Sequence, residues 1–369
     1  MQNKLLHIIS FDNPFPTVYG GVIDVFFKIK ALHKQGYKIH LHCFISGLSE
    51  VSAELKGVTD EVYFYKKNRN PFFIFSSIPL SVISRFDKSL VDNILKIDAP
   101  ILFEGLQTTM LLNINDLANR KKYLRLHNLE ADYYSGIYKS ETNWIKKALY
   151  FFEAYKYKAY QNSLNKFDKV FTLSVYENEY VKAFSANAAY VPVFHGNQAV
   201  KQLSKWGEYA FYHGDMRLAD NKKAAAFLIT IFKKIDYKLV IASSNGEDFI
   251  EQLAEGNANI TFIKLEADNQ LEQLLEKAHI NVMLSFQRSG TKLKLVNSLF
   301  NSRFCLINKN MVDDPRLMEL CELAETEKDF IDKIWQLKNI PYDNASNRTI
   351  VLNKVLDNSK NARLISSII

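Results

Sequence analysis

The chain has 369 residues, 47% of them hydrophobic and 24% charged, with a formal charge of +7. That length exceeds most single cores and suits two domains, and the balance excludes a disordered chain. No run approaches the ~20 apolar residues that span a bilayer, and the three cysteines (Cys43, Cys305, Cys321) have neither disulfide-framework nor zinc spacing.

The first predicted element is Leu5-Leu-His-Ile-Ile9, an apolar run suited to a strand buried on both faces. It is too short for a signal-peptide core and is followed by no small-residue cleavage site. A long loop, Ser10 to Gly21, leads to a helix from about Val22, with Val25, Phe26, Ile29 and Leu32 on one face, ending at Gly36. Lys38–Phe44 then alternates as a strand, which completes a strand-helix-strand unit and implies a parallel sheet. Further strands are expected at Val62–Tyr65, Ala99–Phe103, Lys122–Leu126 and Lys169–Leu173, and Ser174-Val-Tyr-Glu177 reads as a capping box opening a helix.

The second half alternates more plainly. Strands are expected at Tyr209–Tyr212, Lys238–Ala242, Ile260–Ile263, Ile280–Leu284 and Phe304–Ile307, and helices at Lys222–Lys234, Glu247–Glu255, Asp268–Lys277 and Lys292–Asn301. Tyr190–Gly196, with the polar stretch to Trp206, reads as a hinge, and helical tail segments follow Pro315 and Pro341. The expected organisation is an α/β chain of two facing, doubly wound, Rossmann-like domains with an interdomain cleft. The domains cover residues 1–190 and 191–345, and a helical tail, 346–369, packs back on the first domain. In such sheets ligands bind at the carboxyl ends of the strands.

Chemistry is sought first in Ser285-Phe-Gln-Arg-Ser-Gly-Thr-Lys-Leu-Lys294. A strand feeds a polar turn and then a helix whose first turn carries Lys292 and Lys294. Cations there oppose the helix dipole by ~0.3–1 kcal/mol each, which makes sense if an anion binds beside them. A diphosphate is the expected anion, held by Arg288, Ser289, Gly290, Thr291, Lys292 and Lys294. In Tyr212-His-Gly-Asp-Met-Arg217 and Asp220-Asn-Lys-Lys223, a second helix start carries Gly214 and Asn221, with Asp220 or Asn221 as N-cap. Gly20-Gly21 either lets a ligand approach the backbone or merely caps the helix. There is no G-x-G-x-x-G fingerprint for a nicotinamide or flavin dinucleotide.

His127 follows the strand Lys122–Leu126 and can donate a hydrogen bond to a sugar hydroxyl or to developing charge; a structural histidine is the alternative. Glu104, at another strand end, either binds a hydroxylated acceptor or pairs with Arg125. No D-x-D pair is present for a metal-held diphosphate, and Glu130-Ala-Asp132 and Glu266-Ala-Asp268 read as surface helix charge. Two stretches are aromatic and basic, Lys66–Phe75 and Trp144–Tyr160. They are read either as contact with an anionic membrane leaflet or, for the second and preferred there, as a core helix.

Together these motifs resemble the GT-B fold glycosyltransferases of family 4, in particular the bacterial mannosyltransferase and capsular-polysaccharide branch. Pro16 to Gly21, the Arg125-Leu-His-Asn-Leu-Glu run, Phe171-Thr-Leu-Ser174, Tyr212-His-Gly-Asp215 with Asn221, and Ser289-Gly-Thr-Lys-Leu-Lys294 carry the resemblance over nearly the whole chain. It implies a first domain that binds the acceptor and a second that binds a nucleotide-diphosphate sugar. It also implies retention of anomeric configuration, with His127 near the donor sugar and Gly20-Gly21 near the diphosphate or acceptor. The family's Arg and Lys fall at Asp215 and Asp220 here, and its two glutamates at Ser289 and Asn297; Asn297 keeps a hydrogen-bonding group for a ribose hydroxyl.

The expectation is a cytoplasmic, metal-independent hexosyltransferase of surface-polysaccharide assembly, peripheral at the inner membrane face. It uses a nucleotide sugar and no other cofactor, takes a glycan or lipid-linked acceptor, and binds no nucleic acid. Donor contacts are assigned to Gly20, Gly21, Gly214, Asn221, Asn297 and the 288–294 segment, and acceptor contacts to Asn13, Glu104, Arg125 and Asn128. The alternatives are a non-catalytic nucleotide- or glycan-binding scaffold, favoured by the replaced motif residues, and a sugar-nucleotide epimerase, which needs cleft carboxylates that the sequence does not locate.

Overall fold

The computed structural model describes residues 4–47, 49–141, 143–185, 187–267, 269–287 and 292–369. The chain divides into two compact units, Met1–Gly196 with Leu356–Ile369, and Asn197–Val355. The sequence reading set these boundaries at 190 and 345.

The first unit is built on β1 (Lys4–Ser10), β2 (Tyr37–Ile45), β3 (Glu61–Lys66), β4 (Ile101–Glu104), β5 (Lys122–Leu126), β6 (Lys169–Thr172) and β7 (Ala188–Tyr190). They form one sheet in the order β3-β2-β1-β4-β5-β6-β7, with parallel pairing throughout. Apolar clusters cover both faces, one around Ile8, Val25, Ile29 and Leu41, the other around Phe103, Leu124, Tyr157 and Val170. That explains why these strands read as continuous hydrophobic runs.

The second unit repeats the plan with β8 (Tyr209–His213), β9 (Leu239–Ser243), β10 (Ile260–Lys264), β11 (Ala278–Met283), β12 (Phe304–Ile307) and β13 (Glu322–Leu323). Its order, β10-β9-β8-β11-β12-β13, is again parallel. In each sheet the chain winds one way from its first strand, then reverses. Crevices that take ligands open at that reversal, at the carboxyl ends of β1 and β4 and of β8 and β11.

Two sequence expectations are corrected. Asp220 is not a cap: the helix Ala219–Phe232 begins after Leu218, and both Asp220 oxygens reach β11's exit, accepting from Ser285 Oγ at 3.0 Å and the Phe286 N–H at 2.9 Å. The helix Trp144–Tyr160 is a core helix on one side only: Glu153 and Tyr157 are buried, Tyr157 in the apolar cluster of the first unit, while Trp144, Ile145, Phe151, Phe152 and Tyr155 are exposed. Ser174 does cap its helix, accepting from the Glu177 N–H.

Candidate active site

At the reversal point of the first unit, five charged or titratable side chains are buried together. The helix Gly20–His33 brings Asp24 and Lys28, one turn apart, over the sheet; β4 ends at Glu104, β5 contains Arg125, and His127 follows it. Arg125 chelates Asp24 through Nε and a terminal nitrogen, at 3.0 and 2.8 Å, and spends its other donors on the Val191 and Pro192 carbonyls. Lys28 Nζ lies 3.3 Å from Asp24 and 2.7 Å from Glu104. His127 Nε2 is 2.9 Å from Glu104 Oε2. Two carboxylates and two fixed cations balance, which is how a dry interior tolerates charge. Burial opposes ionisation of Asp24, yet Arg125 and Lys28 hold its carboxyl well below the usual range.

This geometry reassigns several residues. Glu104 and Arg125 face each other in register on β4 and β5, but the pairing between them that the sequence left open does not form: each has a partner from the helix Gly20–His33. Arg125 is fully buried with its guanidinium committed, so it supports the fold and cannot reach an acceptor. Since the carboxylate of Glu104 can only accept, His127 donates from Nε2 and the ring is held in orientation. That bond uses Nε2 and leaves Nδ1 for the substrate contact expected from the sequence. Among the described residues, Glu104 Oε1 is buried without a hydrogen-bond partner. Asp24, Glu104 and His127 each place a ligand atom within 4.8 Å of the others. The Lys28 ammonium already supplies the positive charge a metal would bring there.

Glu130, read from sequence as surface charge, is buried three residues beyond His127, and burial pushes its carboxyl up to about 8. Its signal was its position, the first helical residue after a strand's carboxyl end. Asn128 is partly buried at the same strand end. Asn13 is taken up by loop contacts, with its amide donating to Ser49 Oγ in the loop after β2 at 2.8 Å and its oxygen accepting from the Phe15 N–H in its own loop. Gly21 lacks a Cβ because one would lie 2.8 Å from the Phe11 ring, so close packing within the unit accounts for it.

At the reversal point of the second unit, the helix Leu293–Asn301 starts behind Lys292, among the described residues with no side-chain cap, and with no acidic residue in its first turn. Lys294 Nζ lies 5.1 Å from the Tyr212 ring centre and 3.3 Å from Asn221 Oδ1. Burial, against the attraction of Asp220 and with repulsion from Lys292, lowers Lys294 to about 8. His213, at the end of β8, is buried with Nε2 lacking a hydrogen-bond partner; burial first and Lys294 second bring its pKa down to about 3. It is a neutral imidazole at working pH. Asn221 is held by the Asp215 carbonyl and Tyr212 hydroxyl, and a Cβ on Gly214 would stand 2.9 Å from its amide.

Asp215, where the resembled family has arginine, is chelated by Arg217 and accepts from Asn245, so its charge is neutralised locally and its pKa falls to about 2. Asn297 Oδ1 already accepts from the Asn197 amide at 3.0 Å. Lys222 and Lys223 lie over the Phe249 and Phe286 rings. Arg288, Ser289, Gly290 and Thr291, named from sequence as donor ligands, lie outside the described residues.

No protein-family model matches the sequence. An uncharacterized 44.6 kDa protein in the cps region of Klebsiella pneumoniae is 24% identical over 316 residues, 80% of this chain and 81% of that protein. Sucrose-phosphate synthase from Thermosynechococcus elongatus is similar in structure with a TM-score of 0.71 at 12% identity, over 99% of this chain and 98% of that one. The lipopolysaccharide outer core galactosyltransferase WaaB gives 0.67 at 10%, over 98% and 99%. Anabaena HepE in complex with UDP and glucose gives 0.65 at 12%, over 99% of each. With its two parallel sheets of the same winding, the chain has the GT-B fold of two Rossmann-like units.

Proposed function

We propose that this chain is a glycosyltransferase of surface-polysaccharide assembly, moving a hexose from a nucleotide-diphosphate sugar to a glycan or lipid-linked acceptor. The observation that carries the reading is the uncapped start of the helix Leu293–Asn301, where Lys294 sits beside Asn221 and Tyr212 at the reversal point of a Rossmann-like sheet. Free N–H groups and an ammonium are what a departing diphosphate requires. Support comes also from the relative's cps region and from the UDP-bound state of a similar structure.

Transfer with retention would break the C1–O bond to the diphosphate as the acceptor oxygen bonds C1 on the same face. The acceptor proton passes to the leaving phosphate oxygen. Lys294, Lys292 and the N–H groups at the start of the helix Leu293–Asn301 take up the developing charge, and in this proposal His127 keeps the place near the donor sugar that the family resemblance implies. Metal independence is supported by Lys28 among the carboxylates of the first unit, and by Asp220, whose two oxygens are committed to Ser285 and Phe286.

Calorimetric titration with UDP, GDP and their sugars tests this. One nucleotide should bind and raise Tm as its excess over Kd grows, and product should form without added metal. Absence of binding at millimolar concentrations of all of them would refute the assignment. The non-catalytic reading draws on Asp215 and Asp220 standing where the resembled family has cations, and binding without turnover for any acceptor would favour it.

A further inference from the structure

Two neighbouring elements of the first unit turn their apolar sides to solvent. On the helix Trp144–Tyr160, Trp144 (77% exposed), Ile145, Phe151, Phe152 and Tyr155 (72%) are exposed, while Glu153 and Tyr157 point inward. At 100° per residue, Trp144, Ala148, Phe151, Phe152, Tyr155 and Ala159 fall within about 100° of arc. Lys147 and Lys158 border that stripe on one side and Lys156 on the other. The short turn Pro71–Phe75 joins it: Lys156 Nζ donates to the Ile74 carbonyl at 3.0 Å, and Phe72 (74%) and Phe75 (85%) are exposed.

The charge is one-sided. The stretches 66–75 and 144–160 contain Lys66, Lys67, Arg69, Lys146, Lys147, Lys156 and Lys158 against one acid, Glu153. That acid is buried, bonded to Lys156 and to the Leu80 N–H. Among the described residues no helix is long and apolar enough to cross a membrane. An outward aromatic stripe flanked by lysines instead fits a surface lying in the headgroup layer, with rings at the acyl boundary and ammonium groups among phosphates.

We propose that the Trp144–Tyr160 helix and the Phe72–Phe75 turn dock this chain flat on a bilayer rich in anionic phospholipid. Docking is separate from the transferase reading, because it requires neither donor nor acceptor. A protein partner is the weaker fit, since every exposed charge on both stretches has one sign.

The test uses the full chain with vesicles of phosphatidylcholine alone or with about 30% phosphatidylglycerol. Flotation should recover the protein only with the anionic vesicles, and 0.5 M salt should release most of it. Trp144 fluorescence should be quenched by brominated acyl chains, and Trp144→Phe should remove most of that quenching, leaving only Trp206 and Trp335. Phe152→Ser with Tyr155→Ser should weaken partitioning by tenfold or more, and Lys158→Glu by at least the about fivefold that one lost lysine represents. Ile350→Ser, an exposed position in the second unit, should change nothing. The proposal fails if wild-type protein does not float with anionic vesicles, or floats equally with neutral ones. It fails equally if light scattering shows a dimer that Phe152→Ser with Tyr155→Ser dissolves, since the face then joins two copies. Should the double variant misfold by circular dichroism, the wild-type salt and quenching results decide alone.

Discussion

The two reversal points have the same topology and opposite electrostatics. In the first unit Asp24, Lys28, Glu104, Arg125 and His127 answer one another, and the two acids and two fixed cations cancel. In the second, Lys294 has an amide oxygen and a ring face for neighbours and feels the Asp220 carboxylate, and among the described residues His213 Nε2 lacks a partner and the adjacent helix start has no side-chain cap. A charge cluster closed on itself stabilises and orients, and the proposed donor site is of the other kind. Charged residues at a strand's carboxyl end therefore do not by themselves identify a substrate site.

That contrast can be broken from either side. The largest effect is expected in the closed cluster: Asp24→Asn leaves Arg125 buried without a counter-charge and Lys28 with Glu104 alone, and should cost about 3–5 kcal/mol. Urea unfolding measures it, and a loss below about 1 kcal/mol would show that the guanidinium finds water. Because Asp24 has a depressed pKa in the folded chain, its stabilisation is complete above the ordinary carboxylate range and fades as acid protonates it. His127→Ala comes next, with turnover falling roughly 10²–10³-fold while nucleotide Kd stays put. Loss of binding in that variant would make the histidine a fold element alone.

In the open cluster, Lys294→Ala should raise the Kd for the nucleotide roughly 10–100-fold, as expected for a charged hydrogen bond. With its pKa near 8, Lys294 also makes binding pH-dependent. The anion prefers the protonated amine, so affinity should hold near pH 7 and fall above 8, by up to about tenfold per unit. Lys294→Arg should flatten that slope; a slope that survives belongs to another group. The smallest change is expected from Asn297→Ala, within about threefold, because its side-chain oxygen is already bonded to Asn197.

The sheets were legible because buried parallel strands announce themselves as apolar runs, from Leu5–Ile9 to Phe304–Ile307. Ala188–Tyr190 and Glu322–Leu323 escaped notice: three and two residues at sheet edges carry too little pattern. Trp144–Tyr160 was recognised as a helix, but aromatics nearly all round gave no orientation. The inward side was marked instead by Glu153 and Tyr157. In the site, location was legible and partnership was not. Asp24 and Lys28 look like an exposed i,i+4 pair, and only Arg125, 101 residues from Asp24, and Glu104, 76 from Lys28, turn them into buried ions. Asp220 looked like a cap because it stands at a helix start, yet its partners, Ser285 and Phe286, come from a strand exit sequence reading cannot bring near.

The last helix, Asn358–Ser366, belongs to the first unit, with Ala362 and Ile365 in its core. Gln35 donates to the Ser359 carbonyl and accepts from Ser366 Oγ, and Tyr123 donates to the Ile368 carbonyl. A ribosome must therefore finish the second unit before the first can close. Until then, the apolar patch awaiting Ala362 and Ile365 stays open to chaperones.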